Sequence, residues 1–363
     1  MIKKLRLYEM DMRYFRFILF PFALIYGIAV GIRNLFYQKR ILKSSIFSLP
    51  IINIGNLSVG GTGKTPHTEY LIRLLKKEYN LVTLSRGYGR KERGFILADE
   101  TATAQKIGDE PMQYQTKFSN EIGVAVDVNR VNGVISICQA KPDTNVILLD
   151  DAYQHRAIAA GLNILITTYQ NPFFKDFILP VGTLREARKG KKRADIVIVS
   201  KCPDLSHVDK AKIEEKIAPK KGQKVFFSRI IYGAVYPLMQ KEVETFKNNK
   251  VNNRSIVLVT GIAKPEPLLS ELSKTNKILK HFKFSDHYQF KEENINEVHN
   301  LIDKFASENP LIVTTEKDAM RLVNQPWSNK LNNYQWVYQS IEVEIDEHEE
   351  FDRIIREYVE KNS

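Results

Sequence analysis

Between residues 54 and 66 the chain reads Ile54-Gly55-Asn56-Leu57-Ser58-Val59-Gly60-Gly61-Thr62-Gly63-Lys64-Thr65-Pro66. Glycines let a backbone approach an anion closely and take positive φ. Successive N–H groups then form a nest, and a helix opening behind them adds its partial positive charge. Such a loop binds phosphate, here through Ser58, Val59, Gly60, Gly61, Thr62 and Gly63. Lys64 is expected to reach the β- and γ-phosphates and Thr65 to offer its hydroxyl to Mg²⁺, while Pro66 suits a first helical turn, where its missing N–H is harmless. One position departs from the usual pattern, which begins with Gly where Ser58 stands. A glycine-rich turn without a ligand is the alternative reading, but such a turn has no need of Gly63-Lys64-Thr65 at this spacing.

A second cluster, Asp150-Asp151-Ala152-Tyr153-Gln154-His155-Arg156, closes an apolar run. One carboxylate there would hold Mg²⁺ or its water shell beside Thr65, and the other would orient the metal or bind substrate. Two weaker clusters are Gly108-Asp109-Glu110-Pro111 and Phe284-Ser285-Asp286-His287-Tyr288. An Asp–His pair can take a proton from a sugar hydroxyl. Taken singly, Asp109 reads rather as a helix cap and His287 as an ordinary surface or satisfied histidine. After Leu184, the run from Arg185 to Arg193 holds six basic residues and one acid. It suits a phosphorylated headgroup or an anionic lipid, or is a solvated loop.

These residues need a frame, and the chain supplies one. Short apolar runs at 51–54, 81–84, 123–126, 146–149, 164–166 and 196–199 alternate with helical patterns and read as buried parallel strands. Nearly all end in glycine or polar residues, where open α/β sheets bind their ligands. After about residue 225 an extended connector and an Asn-rich polar stretch (241–254) mark a boundary, followed by a second βα series with strands at 255–259 and 311–314 and a helix over 291–306. The expected division is therefore a basic, apolar helical segment (1–43), a phosphate-loop domain (44–228), a connector (229–250) and a smaller α/β domain (251–363).

The formal charge is +12, and residues 1–43 supply +7 of it, with nine basic side chains against Glu9 and Asp11. Between Arg16 and Arg33 runs the uncharged stretch Phe17 to Ile32. Sixteen residues at about 1.5 Å each fall short of a hydrocarbon layer of roughly 30 Å, so an interfacial or partly inserted helix is expected, its basic flanks meeting anionic headgroups. A buried core helix and a cleaved signal sequence are the alternatives. Charge gathered around an apolar anchor, with no aromatics interleaved along one face, argues against a nucleic-acid partner. No obligate protein partner is evident. The two cysteines, Cys138 and Cys202, lack partners at zinc spacing and suit a reducing compartment.

Taken in order, these segments resemble the tetraacyldisaccharide 4'-kinase family. The likeness runs through Gly55-Asn56, Val59 to Pro66, Ser85-Arg86-Gly87-Tyr88-Gly89-Arg90, Gly108 to Pro111, Asp150-Asp151 with Gln154-His155, Leu184-Arg185-Glu186, Arg193-Ala194-Asp195, Asp286-His287 and Thr315-Glu316-Lys317-Asp318-Ala319. The resemblance implies a phosphate-loop NTPase-like, mostly parallel sheet flanked by helices, a second smaller α/β domain with a cleft between the two, and a membrane-associated N-terminal helix. It implies transfer of the γ-phosphate of ATP, with Mg²⁺, to the 4'-hydroxyl of a tetraacyldisaccharide 1-phosphate glycolipid, giving lipid IVA at the cytoplasmic face of the inner membrane. By the same likeness Asp109 and His287, one from each domain, form the general-base pair. Lys64 serves the phosphates, Thr65, Asp150 and Asp151 the metal, and Asn56, Arg86, Gln154, His155 and Arg185 the substrate. Ala152, Thr183 and Tyr288 depart from the family's usual Gly, Pro and second His. The rival class is a membrane-recruited GTP or ATP switch. Ser200-Lys201-Cys202-Pro203-Asp204 sets its Asp one residue too far for a guanine reader, and no Asp-x-x-Gly follows the 146–149 strand.

Overall fold

The computed structural model describes residues 2–239, 251–323 and 325–363, with side chains from Ile18 onward. The chain divides into two compact units, Met1–Arg86 with Asn120–Ile230 and Val343–Ser363, and Gly87–Ser119 with Ile231–Glu342. This grouping interleaves the sequence, where the sequence reading draws contiguous cuts. It has a physical cause: helix Asp109–Phe118 docks on helix Glu316–Leu322, with Lys117 Nζ 2.6 Å from Glu316 Oε1 and Thr116 Oγ1 donating to Met320 Sδ at 3.4 Å. Asp109 therefore belongs with His287, not with the phosphate loop. Residues 240–250, most of the expected connector and its Asn-rich stretch, lie outside the described residues.

In the first unit the strands run in the order Ile196–Ser200, Leu162–Thr168, Ile51–Asn56, Val146–Asp150, Leu81–Ser85, Gly123–Val126, all parallel. Their β-branched runs are buried on both faces, as a helix-covered parallel sheet requires. The start of strand Lys224–Pro237, read from sequence as a connector, pairs in parallel with the 196–200 strand, Ile196 opposite Lys224. The C-terminal helix His348–Asn362 returns to this unit. Its Phe351 packs edge-on against Tyr70 and Phe226, and Tyr358 Oη both donates to Ile51 O and accepts from Ile51 N at 3.1 Å. A side chain at Gly161 would meet Tyr358 Oη at 2.2 Å, so that position has room only for glycine.

The N-terminal helix spans Ile2–Gln38, well past the uncharged stretch, and its 18–38 part is long and apolar enough to cross a membrane. The basic side chains from Lys3 to Arg16 lie outside the described side chains. Ile18, Phe20, Phe22, Leu24, Ile25 and Ile28 stand exposed, which removes the buried-core alternative. Among the described side chains a few polar contacts tie the helix down, Arg33 Nη1 donating to Gln154 O at 3.2 Å among them. Tyr26 Oη donates to Arg185 O at 2.9 Å and Asn34 Nδ2 to Glu186 Oε2 at 3.0 Å, while Arg156 Nη1 donates to Asn34 O at 2.7 Å.

The second unit carries a parallel sheet ordered Lys277–Lys283, Ser255–Thr260, Leu311–Thr315, Trp336–Ile345. Helix Glu292–Lys304, inside the expected 291–306, buries Ile295, Val298 and Ile302 on one stripe against Trp336, Ile312 and Met320. Met112, from helix Asp109–Phe118, packs on the same cluster.

Candidate active site

Strand Ile51–Asn56, wholly buried, delivers the loop, and helix Lys64–Leu75 receives it from Gly63 in the left-handed conformation (φ 92°). Gly60 also has positive φ (102°); a side chain would find open space there but a strained backbone. Ser58 takes no left-handed conformation and pairs its backbone with Leu184, so nothing at that position calls for glycine. Val59 N–H donates to Thr183 O (2.8 Å) and Arg185 N–H to Leu57 O (2.7 Å), which moors the loop to the segment bearing Arg185.

The carbonyls of four consecutive loop residues are all engaged. Gly60 O accepts from Thr62 N–H, Gly61 O from Lys201 Nζ (2.8 Å), Thr62 O from Ser200 Oγ (2.6 Å) and Gly63 O from His67 Nδ1 (2.7 Å). Asn56 Nδ2 donates to Thr62 Oγ1 at 2.9 Å. Val59 and Thr62, expected among the phosphate donors, spend their N–H groups on Thr183 O and Gly60 O, so the anion contacts fall to the amides of Ser58, Gly60, Gly61 and Gly63. A carbonyl only accepts, so the His67 proton sits on Nδ1 and Nε2 accepts from Ser228 Oγ at 2.9 Å. Burial, partly opposed by the Gly63 hydrogen bond, lowers the His67 pKa to about 4 and keeps the ring neutral.

Asp150 ends its strand in register with Ile54 and is buried, and Asp151 follows in a left-handed turn (φ 50°). Lys64 Nζ lies 3.6 Å from Asp151 Oδ1. Arg185 grips both oxygens, Nη1 to Oδ1 at 3.0 Å and Nη2 to Oδ2 at 3.3 Å, and the buried Arg130 donates to Asp151 O at 3.3 Å. Burial alone would push the Asp151 carboxyl up; Lys64, Arg185 and Arg130 outweigh it and hold it below the usual range. Thr65, Asp150 and Asp151 are hard oxygen donors, the kind Mg²⁺ takes alongside phosphate oxygens and water, so the residues present fit that ion. Gln154 Nε2 donates to Asn56 O (2.8 Å) and to Glu186 Oε1 (3.1 Å). Burial, with the charges of Arg130, Arg33 and Arg86, lowers the His155 pKa below the usual histidine range. Arg86 is exposed after strand Leu81–Ser85.

In the second unit His287 Nδ1 lies 3.2 Å from Asp109 Oδ2, and Arg321 Nε donates to the same oxygen at 2.8 Å. Burial would raise the Asp109 carboxyl; the hydrogen bonds from His287 and Arg321, with the charges of Arg321 and Lys317, more than reverse that. The structure thus brings Lys64 to Asp151 and Arg185, and Asp109 to His287, each group within one unit. Sequence reasoning missed Arg130, Glu186, Ser200 and Arg321. Two had a signal: Glu186 lies inside the quoted Leu184-Arg185-Glu186, and Arg321 stands two residues beyond the quoted Thr315 to Ala319 segment, one helical turn past Asp318.

A model of the family described as tetraacyldisaccharide-1-P 4'-kinase matches residues 15–360. A tetraacyldisaccharide 4'-kinase of Bacteroides thetaiotaomicron is 43% identical over 357 residues, covering 95% of this chain and 93% of that protein. One of Flavobacterium psychrophilum is 44% identical over 356 residues, covering 97% and 99%. Among solved structures, LpxK from Aquifex aeolicus in complex with ATP superposes with a TM-score of 0.73 at 26% identity, over 95% of this chain and 99% of that one.

Proposed function

The chain belongs to the tetraacyldisaccharide-1-P 4'-kinase family, and from that premise we propose how its own residues carry the reaction. It is an ATP-dependent kinase of lipid A biosynthesis that phosphorylates the 4'-hydroxyl of tetraacyldisaccharide 1-phosphate to give lipid IVA. The observation that carries the assignment of roles is the loop whose four carbonyls are tied away, followed by Lys64 at a helix start.

The loop amides of Ser58, Gly60, Gly61 and Gly63 and the Lys64 ammonium bind the polyphosphate and offset the charge that spreads over the transferring group. Thr65 and Asp150 would hold Mg²⁺, with Asp151 joining them once Lys64 or Arg185 turns from its oxygens to a phosphate; the ion when bound neutralises phosphate charge. Asp109 takes the proton of the acceptor hydroxyl, with His287 hydrogen-bonded to it. In a loose phosphoryl-transfer transition state the proton leaves late, so a carboxylate held as an ion suffices. Arg86, Gln154, His155 and Arg185 contact the phosphorylated sugar, whereas Asn56, expected beside them, is fully buried with its amide on Thr62 Oγ1 and braces the phosphate loop instead. The exposed apolar helix rests in the cytoplasmic face of the inner membrane, where the acyl chains stay while the sugar is presented. The rival switch reading finds no support in relatives that are named as kinases.

Purified protein incubated with labelled ATP, Mg²⁺ and the disaccharide 1-phosphate in detergent is expected to yield the 4'-phosphorylated product. Lys64→Ala should lower the rate about 10²–10³-fold. Undiminished transfer by Lys64→Ala would overturn the assignment.

A further inference from the structure

Helix Glu316–Leu322 opens at Thr315, whose side chain accepts from the Asp318 N–H at 3.2 Å. Residues four apart on a helix share a face. Lys317 and Arg321 are such a pair, and they reach His287 and Asp109 respectively. Arg321 is buried, at 2% exposure. Its Nε and Nη2 stand 2.8 and 2.7 Å from Asp109 Oδ2, and its Nη1 donates to Asp318 Oδ1 at 3.0 Å and to Gly261 O at 3.1 Å. Asp318 is fixed in turn, its Oδ2 accepting from Gly261 N–H (2.9 Å) and Thr315 Oγ1 (2.6 Å). The guanidinium fork therefore has one orientation.

Lys317 Nζ lies 3.3 Å from His287 Nε2 and 2.8 Å from Glu110 Oε1. An ammonium group only donates, so Nε2 presents its lone pair to Lys317. Nδ1 stands between the Asp109 Oδ2 acceptor at 3.2 Å and the Arg321 Nη2 donor at 3.3 Å. With Nε2 taken, the ring proton belongs on Nδ1, facing Oδ2, while Nη2 makes its shorter contact to Oδ2 itself. Asp286 Oδ2 stands farther from Nε2, at 4.0 Å, and Tyr88 meets the ring edge-on. The donors from His287 and Arg321 all converge on Oδ2 of Asp109, and none of them reaches Oδ1.

We propose that Lys317 and Arg321 are positioning residues of the transfer, which fill Oδ2 of Asp109 and fix the His287 tautomer so that Oδ1 alone receives the acceptor proton. The inference rests on the reading of Asp109 as the base. In the step it serves, the 4'-hydroxyl O–H bond breaks and its proton passes to Asp109 Oδ1. The hydroxyl oxygen bonds to the γ-phosphorus, and the bond from that phosphorus to the β-phosphate oxygen breaks, ADP leaving with the electron pair.

Four full-length variants, measured beside the wild type with ATP, Mg²⁺ and the disaccharide 1-phosphate, test it. Arg321→Lys keeps the charge but loses the fork. It should lower kcat about tenfold and move the acid limb of the kcat–pH profile up by about one unit, with KM for ATP unchanged. Lys317→Gln, at a partly exposed position, replaces a group that only donates by an amide that can turn either its N–H or its oxygen to Nε2. It should shift the ¹⁵N spectrum of the His287 ring from the Nδ1–H form toward a mixture and lower kcat; Lys317→Arg, which again can only donate, should recover both. Asp109→Asn separates the two claims. If Asp109→Asn turns over normally, the base reading fails and takes this inference with it. If Asp109→Asn is inert while the Lys317→Gln and Arg321→Lys proteins, folded by thermal unfolding, keep wild-type kcat, acid limb and histidine spectrum, the inference alone is overturned. Should Arg321→Lys not fold, the Lys317 pair decides by the same criteria.

Discussion

Asp151 in the first unit and Asp109 in the second are both held by cations below the usual carboxylate range, yet they are held in different ways. Both oxygens of Asp151 are taken, Oδ1 by Arg185 and Lys64 and Oδ2 by Arg185. At Asp109 every one of these partners falls on Oδ2. A carboxylate filled on both sides acts as a counter-charge: it keeps Lys64 and Arg185 in place and yields an oxygen only when one of them turns to a phosphate. A carboxylate filled on one side is a fixed acceptor. The number of cationic neighbours is similar, and what separates the two is which lone pairs those neighbours leave open.

The largest expected effect tests that distinction directly. Asp109→Asn should lower kcat about 10²–10⁴-fold, the range for loss of a general base. Asp151→Asn should cost less in kcat and more in KM for ATP, because Lys64 and Arg185 lose their common partner. Steady-state kinetics on both variants decide it. An equal fall in kcat, with KM for ATP untouched in each, would break the comparison.

The units also share a device, a histidine buried as the neutral ring. His67 supports the phosphate loop, and His299 accepts from Trp336 Nε1 at 2.9 Å; burial lowers each pKa to about 4. The folded state then refuses a proton that the unfolded chain accepts below about 6.5, so stability is full above that pH, falls as pH drops from 6.5 to 4, and levels off below. For His67 the loss amounts to about 3 kcal/mol. Urea unfolding of wild type and His67→Gln between pH 7 and pH 4 should show that share of the slope disappear, with the share of His299 remaining. A slope unchanged by His67→Gln would mean that the ring takes up a proton as readily in the fold as in the unfolded chain.

How much of this was legible depended on distance along the chain. The phosphate loop is a contiguous strand–turn–helix, so residue types alone placed it, and Asp150-Asp151 at the end of a parallel strand followed from the same logic. Even the Ser58 departure has a local answer, a backbone pairing with Leu184 that needs no positive φ. Arg321 and Asp109 are 212 residues apart, and no periodicity links them. The grouping of 87–119 with 231–342 was hidden for the same reason, since it rests on one helix packing against another distant in sequence. The N-terminal helix, Ile2–Gln38, lies within the expected helical segment 1–43 and runs past its uncharged stretch at both ends. A helix continues through Arg and Lys readily, since those side chains lose little rotamer freedom in it.

The smallest effect concerns what braces each acid. Asp109 is braced by one buried turn of helix, Asp151 by a longer chain of contacts that begins on the N-terminal helix. Asn34 Nδ2 donates to Glu186, which also takes both arms of Arg193 (2.9 and 2.7 Å) and Gln154 Nε2, and Gln154 Oε1 in turn accepts from Arg185 Nη1 at 3.4 Å. Asn34→Ala removes the first link but leaves the buried Glu186 carboxylate its Arg193 partner, so no charge is stranded. The cost should be the net value of one hydrogen bond, about 1 kcal/mol of stability. Because Arg185 still holds Asp151 through two hydrogen bonds, kcat should change by less than about threefold. Thermal unfolding and turnover of Asn34→Ala check both numbers. A loss of turnover as large as that of Asp151→Asn, at intact stability, would make the helix part of the site that it adjoins, and the bracing of the two acids would then differ in kind as well as in length.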